Sequence, residues 1–137
     1  CTGQVGKAAA ARLNSAVLQG WGMSELSPVG TINPLGDNRS QAGSSGQPLG
    51  SMAYRVNDVE TGAALPPGEG GEVVCKGPNV MMGYLNNPAA NAGAFDADGY
   101  LRTGDIGFAD EDGYITFTDR LKELIKYKGF QVRCRKK

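Results

Sequence analysis

The chain has 137 residues and a mass of 14.3 kDa, with 40% hydrophobic residues, enough for one domain with a buried core and far from disordered or collagen-like compositions. Its 14 basic and 14 acidic residues cancel, but Arg133, Arg135, Lys136 and Lys137 crowd the last five positions and leave ten basic against fourteen acidic residues, a body of net −4. An acidic body argues against general nucleic-acid binding, which needs a basic face to displace phosphate counterions, and no apolar run approaches the ~20 residues that span a bilayer.

The sequence starts at Cys1, and no charged-then-apolar leader precedes a cleavage site, so neither export nor membrane insertion is expected. Cys1, Cys75 and Cys134 are odd in number and widely scattered, and the chain has no histidine. A disulfide framework and a His-containing zinc site are therefore not expected. The sequon Asn38-Arg39-Ser40 would matter only in a secreted protein and is read as chance.

In chain order, "GKAAAARLNSAV" is rich in helix formers without an internal proline and predicts a helix over residues 6–16. Residues 28–50, dense in Gly, Ser, Asn and Pro, read as a long loop. Four short strand signals follow, "MAYRVND", "GEVVCKG", "YLRTGDIGFAD" and "YITFTDR", separated by the turn-rich "TGAALPPGEGG" and "DEDG". They suggest a small antiparallel sheet or barrel. Between them "NNPAANAGAF" predicts a short helix with Asn87 as N-cap and Pro88 at its first position. No internal repeat is visible, so a solenoid is not expected.

Four segments carry residues suited to chemistry. In "QGWGMSE", Gly20 and Gly22 flank Trp21, so the backbone can approach a ligand closely while the indole offers a flat surface. Ser24 and Glu25 follow; a hydroxyl beside a carboxylate suits a phosphate oxygen and a hard divalent cation. On residue type alone a Gly-rich turn with a buried Trp and a capping Ser is the favoured alternative. In "LRTGDIG", Asp105 follows a Thr-Gly turn, and its carboxylate could accept hydrogen bonds from both hydroxyls of a ribose, although such turns are commonly structural. In "TDRLKELIKYKG", strand alternation would put Lys126 and Lys128 on one side, either near an anion or as gatekeepers of an exposed edge. "GEVVCKGPNVMMGYLNNP" reads as a strand, a turn and a packing segment. "GSSG" at Gly43 to Gly46 is read as structural, having no lysine beside it.

Together, the order "QGWGMSE", "GPNVMMGYLNNP", "LRTGDIG", "DRLKELIKYKGFQV" resembles the adenylate-forming enzymes, and within them the 4-coumarate CoA ligase and firefly luciferase group. The resemblance covers residues 5 to 132. It implies an α/β fold, namely the C-terminal part of the large AMP-binding domain over residues 1–118, including a small antiparallel β-barrel-like subdomain. Residues 119–132 would be the hinge and first strands of a C-terminal lid. The tail 133–137 does not match and is expected to be an artefact or a truncation edge, with the chain as a fragment.

By that resemblance, Gln19, Gly20, Trp21 and Gly22 would line the adenine site, Trp21 standing where the family usually has Tyr. Ser24 would hold phosphate in place of the usual Thr, and Glu25 would bind Mg2+. Asp105 would take the ribose hydroxyls, and Arg120 would assist at the nucleotide. Lys122 falls at the lid hinge, Lys126 would touch the adenylate, and Lys128 with Gly129 would meet coenzyme A. Gln131 is carried over as a site residue, and Pro28 and Val29 would shape the acyl pocket.

The implied reaction joins a small-molecule carboxylate to ATP as an acyl-adenylate and then to coenzyme A as a thioester. The family's phosphate loop and catalytic lysine are expected outside residues 1–132, so no complete catalytic set is expected here and the isolated chain is expected to be inactive. The alternatives are a luciferase-like or fatty-acyl CoA ligase and, in another class, a non-catalytic nucleotide-binding or inert fragment. A cytoplasmic location is implied, with the peroxisome as the alternative for the parent protein.

Overall fold

The computed structural model describes residues 3–37, 39, 43–127 and 130–133, with side chains as far as Lys122. Helix α1 spans Gly3–Leu13. It begins and ends three residues earlier than the composition predicts; its end is set by Asn14, which adopts a left-handed conformation (φ 48°) that asparagine tolerates better than most side chains.

Three short strands, β1 (Gly20–Gly22), β2 (Val29–Ile32) and β3 (Gln47–Pro48), form an antiparallel sheet in that order. A 3-10 turn over Ser24–Leu26 links β1 to β2 and drives Leu26 into the core. The expected long loop over 28–50 thus contains two strands. The β-branched residues of Val29-Gly30-Thr31-Ile32 favour extended backbone, and side chains replace the ladder that the short strands cannot supply. Asn33 Nδ2 donates to the carbonyls of Gln19 (3.0 Å) and Ser44 (2.8 Å), and Thr31 Oγ1 donates to that of Ser45 (2.8 Å).

A second antiparallel sheet runs as a meander, β4 (Ala53–Asn57), β5 (Gly71–Lys76), β6 (Leu101–Ala109) and β7 (Ile115–Arg120), matching the four strand signals. Among the described residues its edge strands β4 and β7 are not paired with each other, so the sheet is open and the barrel-like closure expected from the sequence is not seen. The short helix α2 (Pro88–Asn91) sits between β5 and β6 with Asn87 Oδ1 accepting from Ala90 N at 3.1 Å, the cap the sequence predicts. A 3-10 turn over Leu121–Glu123 leads into a hairpin of β8 (Leu124–Tyr127) and β9 (Phe130–Arg133).

The core lies along β5, where Val73, Val74 and Cys75 are fully buried. Leu26, Cys75 and Leu101 form one cluster with Trp21, Met23 and Phe95 against it; Val56, Val73 and Ile115 form another with Leu65 and Phe117. Tyr54 packs on both. Each fully buried aliphatic side chain contributes about 1.5–3 kcal/mol. The two sheets meet at Ser44-Ser45-Gly46: Ser45 N donates to the carbonyl of Ile115 (2.8 Å), and Ile115 N donates to that of Gly46 (2.9 Å). The Gly-Ser segment is therefore a joint between sheets.

Candidate functional site

The glycines of β1 are required by their own hairpin. A Cβ on Gly20 would stand 2.8 Å from the Thr31 carbonyl oxygen, and one on Gly22 would stand 2.0 Å from that of Pro28. That tight pairing fixes Trp21 between them, and the following turn presents Ser24 and Glu25 at a cavity of about 730 Å³. Met23 occupies the cap position without a side-chain hydrogen bond, so Ser24 is not the capping serine. From the opposite side, β6 brings Asp105 to the same cavity, and the end of β7 with its 3-10 turn brings Arg120 and Lys122.

Asp105 is nearly buried, and both carboxylate oxygens have partners. The Trp21 indole Nε1–H donates to Oδ2 at 2.8 Å, and Arg120 Nε lies 3.1 Å from Oδ1. Its backbone is held as well. Asp105 N donates to Thr103 Oγ1 (3.1 Å), whose hydroxyl donates to the Val73 carbonyl (2.6 Å), and Gly104 N donates to Glu72 Oε1 (3.2 Å). Gly104 takes φ 70°, a left-handed conformation suited to glycine, which turns the carboxylate toward the cavity within an otherwise continuous strand.

Glu25 Oε1 accepts a hydrogen bond from the Tyr84 hydroxyl at 2.8 Å, and this bond raises the phenol above its usual range, keeping it a donor at neutral pH. Tyr84 is itself clasped by Asn91, whose Oδ1 accepts from Tyr84 N (2.7 Å) and whose Nδ2 donates to the Tyr84 carbonyl (2.9 Å). The segment between β5 and α2, read from the sequence as packing, thus reaches the cavity. Among the described residues no group of three or more acidic, histidine or cysteine side chains could enclose a metal. A single carboxylate suits a Mg2+ whose remaining ligands are phosphate oxygens and water, so Glu25 would hold it, beside the Ser24 hydroxyl on phosphate, and the ion would supply charge neutralisation at the phosphates.

Gly22, Ser24, Glu25, Asp105, Arg120 and Lys122 line one cavity. Gln19, Gly20 and Trp21 line a neighbouring recess of about 390 Å³ together with Phe117, and Pro28, Val29 and Trp21 line an apolar one of about 420 Å³ with Ile32 and Met23. Trp21 thus touches both recesses and, through its indole N–H, Asp105. One face of its ring stacks on Phe117 (centroids 4.3 Å apart, planes at 20°). Lys126 pairs with Gln131 across the β8–β9 hairpin, and nothing is described of their side chains. Lys128, Gly129, Cys1, Cys134 and the end of the tail lie outside the described residues.

Phe117, Glu72 and Tyr84 are contributors that the sequence does not single out. Glu72 alone left a trace, as an acidic residue in the apolar run "GEVVC", and it is buried. Among the described residues no helix is long and apolar enough to cross a membrane.

The mixed helix-and-sheet arrangement with antiparallel sheets is shared with adenylate-forming enzymes of known structure. ATP-bound MatB from Rhodopseudomonas palustris superposes with a TM-score of 0.87 at 38% identity, over 96% of this chain and 26% of that one. The AMP-binding enzyme profile matches residues 1–85, and the chain belongs to that family, within the adenylate-forming superfamily. Probable 4-coumarate--CoA ligase 3 of Dictyostelium discoideum is 52% identical over 116 residues, 85% of this chain and 21% of its own length. Luciferin 4-monooxygenase of Nipponoluciola cruciata is 45% identical over 130 residues, 94% of this chain and 23% of its own length. The chain spans about a fifth of the length of these relatives.

Proposed function

We propose that these residues form the ribose- and phosphate-holding part of the ATP site of a carboxylate–CoA ligase acting on an aryl acid of the 4-coumarate type. The convergence of Ser24, Glu25, Asp105, Arg120 and Lys122 on one cavity carries the reading. Each carboxylate oxygen of Asp105 has two lone pairs and, among the described residues, one partner, which leaves one acceptor position per oxygen for the two hydroxyls of a ribose. Arg120 and Lys122 supply positive charge where the α-phosphate gains charge as the acid attacks it, and Ser24 and Glu25 take phosphate and Mg2+. The attack forms the acyl–phosphate bond and releases pyrophosphate; the coenzyme A thiol then displaces AMP.

In this reading, residues 1–118 belong to the large domain and 119–132 to the hinge and lid, with Lys122 at the pivot. Lys126 would touch the adenylate, Lys128 with Gly129 would meet coenzyme A, and Gln131 is a further site residue of the lid. Gln19, Gly20 and Gly22 border the base, and Pro28 and Val29 border the acid. The apolar recess beside Pro28 and Val29 suits a flat ring, and the relative named as a 4-coumarate ligase agrees with that choice. A luciferin-like or fatty acid is the second reading, favoured by the luciferin relative.

The test is calorimetric titration of this chain with Mg2+-ATP and with two non-hydrolysable adenylate mimics, coumaroyl and decanoyl sulfamoyl adenosine. Binding of ATP, with the coumaroyl mimic tighter than the decanoyl one, is expected. Tighter binding of the decanoyl mimic would exchange the acid class, and no binding of any of the three would refute the nucleotide site.

A further inference from the structure

We propose that Tyr84 is a positioning residue for the divalent cation: its hydroxyl holds one oxygen of the Glu25 carboxylate so that the other is presented to Mg2+. This rests on the nucleotide and Mg2+ reading of the cavity. Glu25 Oε1 accepts from the Tyr84 hydroxyl at 2.8 Å, and Oε2 has no protein partner among the described residues. The same segment also holds the main chain of Glu25, because Met81 N donates to its carbonyl at 2.8 Å. Two residues further back, Asn79 Nδ2 donates to the carbonyls of Leu26 (2.7 Å) and Val29 (3.1 Å). Residues 79–84 therefore splint the turn that carries Glu25 from outside, at backbone and side chain alike.

Tyr84 is 40% exposed, so burial does not hold it in place. A clasp does. The Asn91 amide takes both its backbone N–H and its carbonyl, at 2.7 and 2.9 Å, and Asn91 is itself fixed at the end of α2, where its N–H donates to the Asn87 carbonyl at 3.1 Å. With that main chain held, a tyrosine has fewer torsions left to settle than the glutamate it meets. Mg2+ demands near-octahedral geometry, so the placing of its protein oxygen matters, whereas Ca2+ accepts irregular sets of oxygens. Removing the donor has two opposed effects. Glu25 would lose its orientation, and groups that orient a metal ligand are worth about 10- to 100-fold in affinity. It would also regain the charge on which the hydroxyl now draws, which favours a cation. The sign of the change decides between them.

The experiment is calorimetric titration of the chain with ATP in Mg2+, in Ca2+ and in EDTA, before and after Tyr84→Phe, which keeps the ring and removes the donor. Affinity should fall about tenfold in Mg2+, about threefold or less in Ca2+, and less than about twofold in EDTA, where no cation is left to orient. A loss in Ca2+ or EDTA as large as in Mg2+, no loss, or a gain in Mg2+ would each overturn the proposal. Asn91→Ala leaves the hydroxyl in place, and Asn91 does not line the cavity. The same order of losses, each smaller, is expected of it, and a loss in EDTA equal to that in Mg2+ would overturn the proposal. An unaltered chain that binds ATP no better with Mg2+ than with EDTA would overturn it and leave the nucleotide reading standing; one that binds no ATP would overturn both.

Discussion

Asp105 shows how a single side chain can be legible by type and illegible by circumstance. A carboxylate after a Thr-Gly turn is visible in the sequence, but its partner Trp21 is 84 residues away, and no local pattern announces their hydrogen bond. Asp105→Asn would set an amide where two donors converge, replacing a charge-assisted pair with one neutral acceptor. ATP affinity should fall about 10- to 100-fold with the fold intact, as calorimetry and circular dichroism together would establish. Cys75 is the opposite case, a residue whose neighbours silence it. Burial pushes its thiol from 9.0 up to about 12, and burial also raises the Tyr54 phenol. Both are neutral when protonated and hold protons more tightly when folded, so their contribution is fully present below about pH 9. It is lost as pH climbs through the range between the unfolded and folded values. The urea midpoint should therefore drop between pH 8 and pH 10.5, and at pH 8 iodoacetamide should label Cys75 only in denaturant, as read by peptide mass spectrometry.

At the scale of elements, the strands with alternating or apolar composition and the Asn87-capped helix could be read directly, because their signals are local. The strands inside residues 28–50 could not. Their stability comes from Asn33, Thr31 and the Ser44-Ser45-Gly46 joint, which a glycine- and serine-rich composition disguises as loop. Gly46 has φ 94°, and a Cβ there would lie 2.0 Å from the Ile32 carbonyl carbon. Gly46→Ala should cost about 3 kcal/mol or more in chemical denaturation.

A second feature corrects the expectation of no internal repeat: a five-residue pattern is used twice, Asp96-Ala97-Asp98-Gly99-Tyr100 and Asp110-Glu111-Asp112-Gly113-Tyr114. In each, the first Asp accepts from two backbone N–H groups, the glycine takes φ 78°, and an arginine lies over the tyrosine while forking between the two aspartates. Arg55 serves the first loop, 4.5 Å from its ring, and Arg39 the second, 4.0 Å from its ring. A lysine can neither fork nor stack in this way. Arg55→Lys should lower the melting temperature by about 3–5 °C, and Arg39→Lys by less, because Arg39 is the more exposed (40% against 26%). Differential scanning calorimetry of the two variants gives the comparison.

Across the whole molecule, two packed clusters share Tyr54, and the small sheet leans on the large one through that residue and the Ser44-Ser45-Gly46 joint. The arrangement predicts cooperative unfolding although the first sheet is only three short strands. Tyr54→Ala removes the shared element and should cost about 3 kcal/mol. In the unaltered chain, urea unfolding followed by Trp21 fluorescence, which reports the small sheet, should coincide with that followed by far-ultraviolet circular dichroism; two separated transitions would mean that the sheets unfold independently.

The paired arginine-clasped turns also bear on ion chemistry. Asp-x-Asp-Gly is a spelling that calcium loops use, because closely spaced carboxylates and a tight turn surround a hard cation with oxygen. Here a guanidinium is the cation. With Arg39 and Arg55 forked between the aspartates of each turn, the oxygens already answer to a charge carried by the chain itself. Both turns are thereby closed by a counterion that dialysis cannot remove, one the chain supplies itself in place of calcium.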